Sequence, residues 1–410
     1  MFESEHKLRH LPFFEEVASH AEGDPQWRAA TAGLVVLRLV DAWLEDGLSV
    51  TTDDGWGFRG VRSAIEDVED GTPIRSILGR VVDALKEQKP DIHVVVTPLM
   101  AYGQALEYEA KWTLAADVYL SVLAHLHPLE DSDASIAAHL RLGACYKNQG
   151  LIDHAVAAFD SASEIAIAVG DMVGVLRARI GEAHIATIRG NLPQAVAILD
   201  DTIGKATGAE LRDVRSRALH DRSNVAALSG QHELAIRLAY EALRDSQSPT
   251  ERDRILNNIA GAFLQLGVYS AARDAYLVLS ATAQEQYLRW AATLNLLELS
   301  SQTSAEMLFE QYRRQLMGQA LPPYLATIFE LSLGTGYQRF SDLPKAQRHL
   351  ERAVAIATEF GFNQYLFEAE EALYQLETQA PPRHVQSDVP LDIQEVAIAI
   401  RNLRESVGVS

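Results

Sequence analysis

Along RLGACYKNQGLIDHAVAAFDSA, residues 141–162, hydrophobic and small positions recur three and four residues apart with a single interruption. Leu142, Gly143 and Tyr146 fall on one side of a helix, because residues at those spacings share a face. Gly150 ends that helix, glycine being the residue that most readily takes the left-handed conformation at a helix end. Ala155, Phe159 and Ala162 then repeat the pattern as i, i+4 and i+7 on a second helix. The small residues Gly143 and Ala155 let two antiparallel helices approach, and Tyr146 and Phe159 fill the space beside them. Ala162 leaves room for a further pair. The pattern predicts a stackable helical hairpin.

The same second-helix alanine recurs at Ala115, Ala155, Ala195, Ala235, Ala272, Ala305 and Ala346, at intervals of 40, 40, 40, 37, 33 and 41 residues. Gly103 and Tyr119 accompany the first, Ala183, Gly190 and Leu199 the third, and Gly230 and Ala242 the fourth. Ala260, Phe263, Gly267 and Tyr276 frame the fifth, and Gly334, Tyr337, Leu350 and Ala353 the last. The unit around Ala305 and Phe309 has no turn glycine. This series, over residues 97–378, resembles the tetratricopeptide repeat. The family's period is about 34 residues, so most units here carry longer helices or connections. The resemblance implies an all-α, right-handed superhelical solenoid of antiparallel helix pairs. Its concave groove would be lined by the first helix of each pair.

The two ends read differently. Residues 1–92 form a helical cap or bundle without the repeat. PQWRAATAGLVVLRLVDAWLEDG is amphipathic, and DGTP separates two shorter helices, with Thr72 as N-cap and Pro73 as first helical residue. The run HVVV at 93–96 reads as extended, with a helix restarting at Thr97-Pro98, so the repeat array is bounded as 93–378. Residues 379–410 are a Pro-containing linker and an amphipathic helix, LDIQEVAIAIRNLRES. That helix either caps the array or engages another chain, and the need of repeat arrays to seal their ends favours the cap.

Composition narrows the function. A chain of 410 residues exceeds one hydrophobic core. Its net charge of −20 argues against nucleic-acid and anionic-membrane binding, which need clustered Lys and Arg. Residues 1–90 hold 10 Lys and Arg against 17 Asp and Glu, poor material for a DNA-reading head. A local basic patch would be an island. A single cysteine, Cys145, excludes an internal disulfide framework and indicates a reducing compartment. With no signal peptide and no apolar run long enough to span a bilayer, the expected location is cytoplasmic.

No phosphate-binding lysine loop, dinucleotide glycine fingerprint, HExxH helix or serine elbow is present. Cys145, on a repeat helix, reads as a buried structural thiol. The 13 histidines form no zinc-ligand cluster. Pairs such as Glu15-Glu16, Asp53-Asp54 and Glu370-Glu371 read as solvated faces. The reading is therefore non-catalytic, with no metal and no cofactor.

Registering the units by their turn glycines places Arg177, Arg217 and Arg254 at one early position of three consecutive first helices. One turn later come Ile180, His220 and Asn257, and another turn on His184, Asn224 and Gly261. Tyr287 and Trp290 fall at the corresponding positions of the next unit. On one reading these residues form a groove ladder that grips an acidic, carboxylate-bearing peptide, with the asparagines bonding its backbone. On the other, the arginines pair with Glu210, Asp213, Asp221, Glu251 and Asp253 within the chain, and Trp290 packs in the core.

The function expected is that of a protein- or peptide-binding scaffold. The alternative is a ligand- or peptide-sensing regulator that changes superhelix shape and acts through a protein partner. Longer-than-standard repeats resemble the sensor portions of bacterial regulators, including peptide-pheromone receptors and the MalT type of activator. Those usually carry a DNA-binding head or an ATPase module, and this sequence shows neither.

Overall fold

The computed structural model describes residues 9–46, 56–85, 90–319, 321–360, 362–378 and 390–409. They form twenty helices and no strand. The chain divides into two compact units, residues 1–198 and 199–410. Among the described residues no helix is long and apolar enough to cross a membrane.

The first unit opens with α1 (Leu11–Ser19), α2 (Pro25–Asp46), α3 (Trp56–Glu66) and α4 (Pro73–Ala84). Their apolar faces bury Phe13, Leu37, Val40, Trp43, Leu78 and Val81 in a core shared with the next two helices. Thr72 stands at the N-cap of α4, but its hydroxyl turns back to Glu69 O at 2.9 Å. Three helix pairs follow: α5 (Ile92–Tyr108) with α6 (Trp112–Leu123), α7 (Ser132–Asn148) with α8 (Ile152–Val169), and α9 (Met172–Ile188) with α10 (Leu192–Lys205). The division between the units falls inside α10.

The extended segment expected at 93–96 is helical: α5 is continuous through Pro98. Asp91 caps it by accepting from the His93 amide at 3.0 Å. Ile92, Val95, Leu99, Tyr102 and Leu106 are all buried, at the helical spacing that the valine run conceals. That burial outweighs the one backbone hydrogen bond proline removes.

In the second unit α11 (Arg212–Leu228) pairs with α12 (His232–Asp245), and α13 (Pro249–Gln265) with α14 (Tyr269–Thr282). Then come α15 (Gln286–Gln302) with α16 (Glu306–Leu316), α17 (Pro323–Arg339) with α18 (Leu343–Phe360), α19 (Asn363–Thr378) and α20 (Leu391–Ser406). First helices pack on first helices from α11 through α19.

Every first helix from α5 to α17 has 17 residues. Each ends two residues before a left-handed residue: Ala110, Gly150, Gly190, Gly230, Gly267, Ser304 or Ser341. The repeat alanine is the fourth residue of α6, α8, α10, α12, α14 and α18. Close approach depends on glycine where a large ring lies opposite. A Cβ on Gly143 would sit 2.6 Å from the Phe159 ring, and one on Gly103 2.5 Å from Tyr119.

The weak unit departs from its expected register. Ala305 lies outside α16 as its N-cap, and the fourth helical residue is Phe309. Phe309 is fully buried, and the space it takes is vacated by Gly336 of α17, whose missing Cβ would collide with the ring. A large residue replaces a small one, and the next pair compensates.

The C-terminal helix α20 packs on α14 and α12. Ile393, Val396 and Ile400 are buried there. Arg404 Nη1 donates to the buried Asp274 of α14 at 3.0 Å, and Arg237 of α12 pairs with Asp392. The helix thus covers second helices in the middle of its unit. The linker expected at 379–389 and Asp53-Asp54 lie outside the described residues.

Candidate ligand-binding face

Helix α13 begins SPTE, with Ser248 as N-cap, its Oγ accepting from the Glu251 amide at 3.4 Å. In a capping box the glutamate would fold back on the cap residue. Here its carboxylate instead meets α11, where Glu251 Oε1 lies 2.7 Å from His220 Nδ1. Burial alone would raise the Glu251 carboxyl. The hydrogen bond from His220 and the charge of Arg217 outweigh it and hold the group below the usual carboxylate range.

The other ring nitrogen, His220 Nε2, lies 2.6 Å from Asn258 Nδ2, which also donates to Asn224 Oδ1 at 2.5 Å. A neutral ring satisfies both contacts, donating from Nδ1 and accepting at Nε2. The buried imidazole thereby locks two asparagines of adjacent first helices side by side. Both amides are half-buried, and Asn224 Nδ2 and Asn258 Oδ1 have no further partner among the described residues. One donor and one acceptor remain, the complement of a peptide unit.

The predicted residues divide as follows. Arg217 and Arg254 are both the sixth residue of their helices, exposed on α11 and α13. Arg254 Nη2 donates to Glu285 Oε1 at 2.7 Å, so this guanidinium is engaged within the chain. Arg177 is likewise sixth in α9, and His184 is thirteenth, but both belong to the first unit and engage other groups of the chain. His220 and Asn224 enter the network. Asn257 is the ninth residue of α13, as His220 is of α11, but makes no side-chain hydrogen bond among the described residues; its neighbour Asn258, the tenth, is the one that bonds His220. A turn of 100° per residue separates the two, which spacing did not resolve.

Tyr287 and Trp290 are the second and fifth residues of α15, one position out of step with the arginine row. Without a turn glycine, that unit had no sequence marker for its register. Trp290 is half-buried against the core of the second unit. Tyr287 stays 43% exposed and shares its helix position with Tyr324 of α17, 40% exposed.

Tyr324 meets Tyr365 of α19 hydroxyl to hydroxyl at 2.8 Å, with the rings edge-on at 5.3 Å. Phe362 also stands edge-on to Tyr324, at 5.7 Å. Burial pushes the Tyr287 hydroxyl up, and the nearby Tyr324 adds to it. The sequence reading missed Asn258, Tyr324 and Tyr365, and named Glu251 as a partner for the arginines rather than for His220. The capping pattern of Glu251 and the shared position of Tyr287 and Tyr324 were signals available in the sequence.

Glu298 is thirteenth in α15 as Asn224 is in α11. Burial raises its carboxyl, opposed by Arg339 and by the hydrogen bond from Gln302 at 3.0 Å. In the first unit, Cys145 is fully buried, and burial pushes its thiol up to about 12.

No family model matches the chain, and no curated protein does. Solved structures do. The Rap conjugation gene regulator of plasmid pLS20, in complex with the Phr peptide, superposes with a TM-score of 0.50 at 15% identity, covering 86% of this chain and 99% of that one. NprR in complex with its cognate peptide NprX gives 0.49 at 14% identity, covering 83% and 99%. The apo quorum sensor NprR from B. thuringiensis gives 0.48 at 12% identity, covering 84% and 91%. The fold is a TPR-like helical repeat array.

Proposed function

We propose that the first-helix face of the second unit binds a peptide without catalysing a reaction on it. The observation that carries this reading is the Asn224–Asn258 pair, held by His220 and Glu251 with one amide donor and one acceptor unspent. Such a pair bonds a main chain whatever its side chains. Specificity would come from either side. Arg217 is exposed and suits a carboxylate, whereas Tyr287 and Tyr324 offer half-exposed rings to an apolar or aromatic side chain. The ligand is therefore an extended segment with an acidic group at one end and an apolar group at the other. The similarly folded Rap regulator was solved with a peptide bound, which supports the ligand class.

Selection from a random heptapeptide library on the full chain tests the proposal. Enriched peptides should combine an acidic with an apolar position and lose affinity about tenfold or more with Asn258→Ala, as expected when hydrogen bonds in a shielded site are lost. Enrichment that is indifferent to Asn258→Ala and to Tyr324→Ala would reject this face. Scattering with and without the selected peptide separates the scaffold from the regulator. A changed radius of gyration identifies a regulator, and an unchanged one a scaffold.

A further inference from the structure

Between the second helices α16 and α18 lies a cleft of about 490 Å³, with Tyr337 of α17 in its wall. That volume falls within the range of small-molecule sites, roughly 300–1,000 Å³. Every other lining side chain is charged or titratable. In a chain of net charge −20, four of them are Lys or Arg: Arg313 from α16, and Lys345, Arg348 and Arg352 from α18. The α18 residues stand at i, i+3 and i+7, on one helix face spanning about 10 Å. Lys345 lies in the first turn of α18, where the helix dipole also favours an anion, and Arg348 and Arg352 continue the face to mid-helix.

Of the two acidic members, Glu306 makes no hydrogen bond or ion pair among the described residues, and Glu310 is answered within the chain. Glu310 accepts from Arg313 Nε at 2.8 Å and from the Tyr337 hydroxyl at 2.9 Å. Burial would raise its carboxyl, but these bonds and the charges of Arg313 and Lys345 hold it below the usual range. Lys345 Nζ lies 2.7 Å from Asp342 and 4.9 Å above the Tyr337 ring. His349 stacks on the same ring and bonds Glu330 through Nδ1 at 2.7 Å. Arg348 gives only its Nε to a backbone carbonyl, at 3.1 Å. Its terminal nitrogens, and the whole guanidinium of Arg352, have no partner among the described residues.

We infer that this cleft binds a small molecule carrying two or more linked phosphate groups. Apart from the Tyr337 ring, which Lys345 and His349 already cover, the lining offers charged groups rather than an apolar pocket for a peptide side chain. Two free guanidinium forks one turn apart, with Lys345 beside them, match successive phosphates. The site shares no residue with the first-helix face and stands or falls separately from the peptide reading.

Calorimetric titration of the full chain with inorganic pyrophosphate at physiological ionic strength tests it. Saturable one-to-one binding is expected. Arg348→Gln with Arg352→Gln should weaken it about tenfold or more, with an unchanged melting temperature because both side chains are exposed. The exposed Arg244→Gln on α12 should leave binding intact. No binding, or equal weakening by Arg244→Gln, overturns the inference. So does a hexaglutamate peptide that binds the same arginines more tightly than pyrophosphate, since the cleft would then be a dock for an acidic protein segment.

Discussion

His10, in the turn before α1, is joined to Asp117 of α6 through Nδ1 at 2.6 Å while its Nε2 meets Asp41 of α2 at 3.0 Å. One buried imidazole thus ties the first helix to two others. Burial opposes its charge, but the two carboxylates outweigh burial and raise its pKa to about 9.

The sign of the pH dependence follows from that shift. A group whose folded pKa is raised contributes stability fully below its unfolded value, and loses it as pH rises through the folded value. Stability against thermal unfolding should therefore fall between about pH 6.5 and 9 by on the order of 3 kcal/mol. The His10→Gln variant should be less stable at pH 6 and lack this decline. An equal decline in both proteins would place its origin elsewhere.

Phe309 and Gly336 should behave as a coupled pair. Gly336→Ala forces a methyl against the ring, costing about 1–3 kcal/mol. Phe309→Ala empties a site also walled by Tyr337 and Phe340, costing about 3–5 kcal/mol. The double variant should lose less than the sum, because the new methyl partly fills the cavity. Urea unfolding of all four proteins measures the coupling, and strict additivity would contradict the packing described.

Glu251 gives the opposite pH dependence to His10. Its carboxyl is depressed, so its contribution is present above the unfolded value and fades as pH falls through the folded one. Glu251→Gln should mimic acid at neutral pH and loosen the asparagine pair. Hydrogen exchange at the start of α13 should rise in this variant, as should the dissociation constant of any selected peptide.

Asp274 anchors α20. Its carboxylate is buried and bonds Arg404. Asp274→Ala leaves that arginine only the longer contact to Glu405, and losing one partner of a buried pair costs about 3–5 kcal/mol; the partial exposure of Arg404 puts this case toward the low end. Amide exchange should rise across α20 and on α14 while α5 to α8 stay protected. Exchange rising equally throughout would mean global unfolding rather than release of one helix.

Cys145 serves as a reporter. With its thiol raised to about 12 and fully buried, it should resist Ellman's reagent at pH 8 and react completely in denaturant. Rapid reaction of the native chain would show that α7 does not bury it.

The sequence alone determined the helical hairpin, its repetition and the positions of most turns. These follow from local physics: three-and-four spacing, left-handed glycines, and small residues opposite large ones. The arginine positions in α9, α11 and α13 were legible for the same reason, since each unit carried its own turn glycine. Where that marker was missing, around Ala305, Phe309 took the alanine's place and Tyr287 and Trp290 slipped out of step. Only the tertiary structure decided which asparagine faces His220, that Arg254 is engaged by Glu285, and that α20 folds back onto α12 and α14. Those outcomes depend on rotations of 100° and on contacts between residues as far apart as Arg404 and Asp274. No local pattern encodes such choices, because they are made by the side chain that fits when helices meet.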